Sequence, residues 1–567
     1  VSSSLPQIVP APVSVRAGAG PAVLLADRLA IAAPAELWVE ARWFRNVLEA
    51  GTGWRIDIVR PGEPAAVVLE LAARGQLTAS PGPAHTVGAG PGGYRVVVGD
   101  GRVSVSGEEQ AGVFYGLQTL RQLLPDATLR RAPVGRGAGQ GVARPVASPV
   151  PVDPVVVEDG PRFGWRGVHL DVCRHFFPKS FLLELVDLAA FHKLNSFHLH
   201  LTDDQGWRFP VEAHPRLVEV GAWRRRSQAG HKRENRFDDQ PHGGYYTKDD
   251  LREVVAYAAE RHVNVVPEVE MPGHTVAAIA AYPELGNTGA QLEVGDGWGI
   301  YSEVVNLDQG TVGFFGDVID EVCDVFPGPY LHIGGDECPT SEWENSPRAR
   351  ALMESEGFTS ARQLQGWFTA RIAPYVARHG RRLVGWDEIL EGGAPPGAVV
   401  MSWRGVKGGV EAASLGHDVV MVPEEWLYFD WAYSDDPAEP LAIRGATPVE
   451  RVYRFDPVPP GIPDDRVHHV LGAQCQLWTE YVKTPAHAEY LYFPRLCAFA
   501  ETVWSPPPPA DGGRHFAEFE PRLARHLRRL GALGVNYRPL EGPTPGQART
   551  WRSTSGAANE PSLESGA

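Results

Sequence analysis

The chain has 567 residues, too many for one hydrophobic core, and its 43% hydrophobic and 22% charged residues are those of a globular protein of two or more domains. Its formal net charge of -16 excludes nucleic acid and anionic membrane as natural partners, and no apolar run approaches the roughly 20 residues of a membrane span. The five cysteines (Cys173, Cys323, Cys338, Cys475, Cys497) lie far apart with no zinc spacing, so no metal or cofactor is expected and at most one disulfide.

The start, "VSSSLPQIVP", has neither Met nor a charged-then-apolar leader pattern. It reads as a trimmed start, from which a secreted protein is expected, with a cytoplasmic one as the alternative. Residues 1–155 are predicted to form an α+β domain. "AAVVLELAA", "GYRVVVGDG" and "RVSVSGEEQ" read as strands by Val content and polar or Gly boundaries. "EEQAGVFYGLQTLRQLL" places Val113, Leu117, Leu120 and Leu124 at helical spacing. Its end, 132–155, is rich in Pro, Gly and Ala and is predicted to be an exposed loop.

From 156 to 540 short apolar strands alternate with amphipathic helices such as "KSFLLELVDLAAFHKL" and "KDDLREVVAYAAERH". Eight strands are predicted, in "WRGVHLDVC", "SFHLHLTDD", "VNVVPEVEM", "YLHIGGDE", "RRLVGWDE", "AVVMSWR", "HDVVMVP" and "HVLGAQCQLWTE". This pattern predicts an α/β fold, a (β/α)8 barrel. An amphipathic helix over 516–533 is expected to close it, and the polar tail 541–567 is predicted to be disordered.

In such a barrel, chemistry sits at the C-terminal ends of the strands. Polar residues cluster there: Asp171 and Arg174, Asp203 and Asp204, Glu268 and Glu270, Asp336 and Glu337, Trp386 to Glu388, Trp478 and Glu480. In "LHIGGDECP" (331–339) two glycines let the chain turn and carry Asp336 and Glu337 into the mouth. Glu337 there suits a proton donor to a glycosidic oxygen, its pKa raised by burial and the adjacent charge; a solvated strand-end acid is the competing reading. "HLHLTDD" (198–204) keeps a metal-dependent hydrolase open, although alternating His and Leu on a barrel strand more often means packing.

"HIGGDE" (332–337) resembles the signature of family 20 glycoside hydrolases, the β-N-acetylhexosaminidases. "RGVHLDVCRHFF", "KLNSFHLHLTDDQGWR", "VVPEVEMPGHT", "GWDEIL" and "QLWTE" resemble further segments of that family, in order. The resemblance implies a bacterial, exo-acting enzyme that removes terminal β-linked GlcNAc, or also GalNAc, with retention. In that family the substrate's own 2-acetamido oxygen is the nucleophile, through an oxazolinium intermediate. By resemblance, Asp336 orients the acetamido group and Glu337 serves as acid, then base. Arg174 would grip ring hydroxyls, Asp203 and His274 would form a polar network beside the acid, and Trp367, Trp386 and Trp478 would wall the sugar. Tyr428 would bind the acetamido oxygen, and Asp430 and Glu480 the outer hydroxyls. Asp171, Asp204, Glu268, Glu270, Asp387 and Glu388 are left outside the site. One departure stands out: relatives often carry a further Trp after the seventh strand, and 436–470 contain none. The implied partner is an oligosaccharide ending in a β-linked N-acetylhexosamine. The alternatives are a disaccharide-releasing lacto-N-biosidase, a transglycosylase, and a catalytically silent sugar-binding protein.

Overall fold

The computed structural model describes residues 5–73, 75, 77, 92–132, 146, 148–507 and 513–554. Eight parallel strands close into a barrel: Trp165–Asp171, Ser196–His200, Asn264–Glu268, Tyr330–His332, Arg382–Trp386, Val399–Ser402, Asp418–Met421 and Val470–Cys475. Each lies within one of the eight predicted segments. The first, second and sixth are buried at every residue, because side chains face either the barrel interior or the surrounding helices. A strand covered on both faces reads as a continuous apolar run.

The preceding domain is built on a mixed seven-stranded sheet. Its helix Gln110–Leu123 is buried almost all round, since one side packs on that sheet and the other on the barrel. Gly116 makes the approach to the sheet possible: a Cβ there would lie 2.6 Å from Val105 Cγ1. The sheet corrects the predicted loop at 132–155. Val150–Val152 pairs with Val23–Leu25, and Val155–Asp159 is an inner strand between Ser14–Ala17 and Tyr94–Gly99. Proline and glycine upstream mask this Val-rich run; residues 133–145 and 147 lie outside those described. The predicted disordered tail is corrected too. Pro545–Thr554 is helical, and Trp551 is buried by stacking on His487 at 4.6 Å. Trp551, together with Gln547, which donates to the Tyr537 carbonyl at 3.1 Å, docks a segment whose average composition is polar; residues 555–567 are not among those described.

All five cysteines are buried free thiols. Helix Phe516–Leu533 covers the barrel through His526, whose Nε2 lies 2.9 Å from His192 Nε2, and reaches the first domain through Arg529, which donates to the Gln122 carbonyl at 3.0 Å.

A buried ion pair joins the two domains. Lys193, at the end of the first barrel helix, donates to Asp159 at 2.9 Å and to Tyr94 at 2.7 Å, and Trp504 also donates to Asp159 at 2.9 Å. Lys193 and Asp159 are both fully buried. Breaking one side of such a pair strands a charge in a medium that cannot solvate it. Lys193→Met is therefore expected to cost about 3–5 kcal/mol in urea unfolding; a loss below 1 kcal/mol would contradict this role.

Candidate active site

After the fourth barrel strand the chain turns through two left-handed glycines, Gly334 (φ 67°) and Gly335 (φ 96°). A Cβ on Gly334 would lie 1.7 Å from Oε2 of Glu270, so only glycine lets the turn pack onto that acid. Glu337 (φ 45°) and His274 (φ 50°) are left-handed as well, although both carry a Cβ. Each such residue costs on the order of 1–3 kcal/mol, a strain found mostly at functional sites. The turn brings Asp336 and Glu337 into one cavity of ≈ 1030 Å³, its open mouth included. Arg174, Trp386, Trp403, Tyr428, Asp430, Trp478 and Glu480 line the same cavity.

His274 governs the charges of the two acids. Burial alone would strip its proton, but Asp203 and Asp204 outweigh burial and hold the imidazolium well above the usual histidine range. Its Nδ1 lies 2.9 Å from Asp204 and 3.5 Å from Asp203; its Nε2 faces Glu337 at 3.5 Å and Asp336 at 3.7 Å. These last two are electrostatic contacts, too long for good hydrogen bonds. They reverse the expected shift at Glu337. Burial pushes that carboxyl up, yet His274, with help from Arg174, holds it below its ordinary value. Asp336 is raised, by burial first, with His274 opposing.

Glu270 packs against Gly334 in the turn that carries Asp336. Burial, then the charge of Asp336, keeps the Glu270 carboxyl well above the usual range, and neither of its oxygens meets a protein donor. Both carboxyls are thus raised, in a buried space that disfavours a second negative charge.

Beneath the acids runs a chain of alternating charge. Trp386 Nε1 donates to Glu268 at 2.9 Å, His200 bridges Glu268 and Asp203, and Arg174 Nη2 reaches Asp203 at 2.9 Å. Burial lowers His200, but Glu268 and Asp203 together carry it up to about 10. Both its nitrogens face carboxylates, Nδ1 toward Glu268 and Nε2 toward Asp203.

The far wall is aromatic. Trp403 stacks on Tyr428 with centroids 6.2 Å apart and planes 15° from parallel, and Trp478 lies between Trp386 and Tyr428 at 5.9 and 6.3 Å. The guanidinium of Arg174 sits 5.1 Å over the Trp478 ring. Asp430 and Glu480 complete the pocket, both raised mainly by burial. Oδ1 of Asp430 is buried without a protein partner, as is Oδ1 of Asp336. A pocket with an aromatic wall and unspent acceptors at two places suits a sugar: apolar C–H faces against rings, hydroxyls and amide N–H against carboxylates.

Residues 163–507 match the model for the glycosyl hydrolase family 20 catalytic domain, and residues 5–138 match that family's domain 2. The chain belongs to glycosyl hydrolase family 20. It is 42% identical to a beta-hexosaminidase of Porphyromonas gingivalis over 77% of this chain and 53% of that protein. It is 30% identical to a beta-N-acetylhexosaminidase of Cellulomonas fimi over 95% of this chain and 98% of that one. The match with the Porphyromonas and Vibrio furnissii relatives thus spans only 53% and 59% of their lengths. Among solved structures, the Streptomyces plicatus N-acetyl-beta-hexosaminidase in complex with Thio-NAglucal superposes with a TM-score of 0.77 at 32% identity, over 94% of this chain and 96% of that one.

Of the residues picked from the family 20 motifs, Arg174, Asp336, Glu337, Trp386, Tyr428, Asp430, Trp478 and Glu480 line the one pocket. Asp203 and His274 stand directly behind it. Trp367 does not belong. It lies on the outer helix Arg362–Arg378, donates to Glu356 at 2.9 Å, carries Arg371 over its ring and lines a different cavity with Asn287 and Asn306. Helix positions in this fold face away from the mouth. Its place in the wall is taken by Trp403, directly after the sixth strand, where strand-end position alone could have found it. Glu270 was set aside as structural, and it packs against Gly334 beneath the turn that carries Asp336. Glu388, also set aside, accepts from Trp403 Nε1 at 3.0 Å.

Proposed function

We propose that this family 20 chain is a retaining exo-β-N-acetylhexosaminidase that releases terminal β-linked GlcNAc by substrate-assisted catalysis. The observation that carries this reading is the placement of Asp336 and Glu337 on one turn, facing one pocket whose remaining wall is aromatic. In family 20 the nucleophile is the substrate's own 2-acetamido oxygen, so an acid beside the proton donor is free to serve that group. Asp336 accepts the acetamido N–H and stabilises the positive charge that grows as the ring closes. Trp386, Trp403 and Trp478 hold the acetamido methyl and sugar face, and Tyr428 donates to the acetamido oxygen. Arg174, Asp430 and Glu480 fix the outer hydroxyls.

Glu337 delivers the proton to the leaving oxygen and then takes one from water. Its side chain is 35% exposed and its carboxyl is held low by His274. A sugar bound over it would shield it from solvent, and desolvation moves a carboxyl upward toward the protonated form an acid needs. On the leaving-group side, the segment after the seventh strand contributes Ile443 and Arg444, with Trp431 just before it, in place of the further Trp of relatives.

The test compares an aryl β-GlcNAc with the matching aryl β-glucoside. The first is expected to be cleaved and the second not, and a thiazoline mimic of the cyclic intermediate is expected to inhibit. Comparable cleavage of the glucoside would overturn substrate assistance. Mass spectrometry of products from an oligosaccharide should show a single N-acetylhexosamine; a disaccharide would favour the lacto-N-biosidase reading.

A further inference from the structure

We propose that Glu388, the second acid of the "GWDEIL" turn, is a positioning residue that fixes the Trp403 wall of the acyl pocket and so sets which N-acyl group the enzyme accepts. The inference rests on the hexosaminidase reading above. Trp386 ends the fifth strand and faces the barrel interior; the next turn, Asp387–Leu390, swings Glu388 under the neighbouring sixth strand. Its Oε2 accepts the indole N–H of Trp403 at 3.0 Å, and the carboxyl is only 5% exposed.

Arg404 pairs with Glu388 at 3.6 Å, but sits closer to Asp387 and Glu391, each at 2.7 Å. Burial first, then the charges of Asp336 and Asp387, push the Glu388 carboxyl up to about 8. Arg404 opposes that rise, and the net upward shift reduces the negative charge this carboxyl adds near Asp336.

Trp403 also packs against the buried cluster that includes Trp386, Val399 and Met401, and its ring stacks near-parallel on Tyr428. A stacked ring can slide or turn in its plane; one hydrogen bond at its edge removes that freedom. The wall opposite the acyl methyl is then rigid, and a rigid apolar wall is what excludes one additional methylene. Such exclusion is worth roughly 10–200-fold in kcat/KM.

The experiment compares aryl β-glycosides of N-acetyl- and N-propionyl-glucosamine. Wild type is expected to favour the acetyl substrate by at least about tenfold. Glu388→Ala should shrink that preference by about fivefold or more, whereas Glu388→Gln, which keeps an acceptor oxygen, should retain it. Should Glu388→Ala fail to fold, Glu388→Asp, one methylene too short to reach the indole, carries the same expectation. Loss of activity on both substrates with the preference unchanged would show a merely structural role and overturn the proposal. Wild type without activity on the acetyl substrate would instead overturn the hexosaminidase reading beneath it.

Discussion

Glu337→Gln is expected to lower kcat/KM for a β-linked GlcNAc disaccharide by roughly 10²–10⁴-fold, the usual worth of a general acid. Gln is nearly isosteric and tolerates the same backbone, so the unfolding midpoint should stay close to wild type. The loss should be smaller on an aryl glycoside with a good leaving group, because that oxygen needs little protonation to depart. It should not vanish there, since opening the cyclic intermediate still requires Glu337 to activate water. His274, held cationic by Asp203 and Asp204 and 3.5 Å from Glu337, cannot substitute. An imidazolium with two carboxylate partners holds its proton too tightly to give it up. Activity within tenfold of wild type on both substrate types would remove Glu337 from the acid role.

Asp336→Asn is expected to lower kcat on the acetamido substrate by roughly 10²–10³-fold, comparable to removing one preorganised group facing transition-state charge. The reason is electrostatic more than steric. Asn is nearly isosteric with Asp, so the turn should hold. It has no charge to offset the positive charge developing on the acetamido nitrogen as its oxygen attacks. A thiazoline inhibitor, which carries that charge pattern, should bind correspondingly more weakly. Equal inhibition of wild type and variant, or a kcat within threefold of wild type, would show that Asp336 does not serve the nucleophile.

Much of this was legible in the chain itself, for a physical reason. Parallel barrel strands are covered on both sides, so each announces itself as an apolar run, and the strand ends locate the mouth without any structure. Asp336 and Glu337 could be read from two glycines and their position. What stayed hidden depends on contacts between distant segments. The depressed carboxyl of Glu337 comes from His274, which nothing local in "HIGGDE" reveals. Trp367 and Trp403 are both tryptophans near strand segments, and only the helix assignment of the first shows that it faces outward. The partnership of Glu388 with Trp403 spans two neighbouring strands. Trp551 and Gln547 show the same limit at the tail, where their contacts outweigh a polar average.

The Lys193–Asp159 pair has a practical consequence for anyone reshaping this chain. The stretch that matches the catalytic domain begins at residue 163, which invites excision of everything before it. That cut would discard Asp159 and Tyr94 and leave Lys193 and Trp504 facing a missing surface. The small domain is therefore not a detachable module. A shortened version should retain it, and a chimera with a relative's small domain must bring an acid to meet Lys193 or exchange the lysine as well.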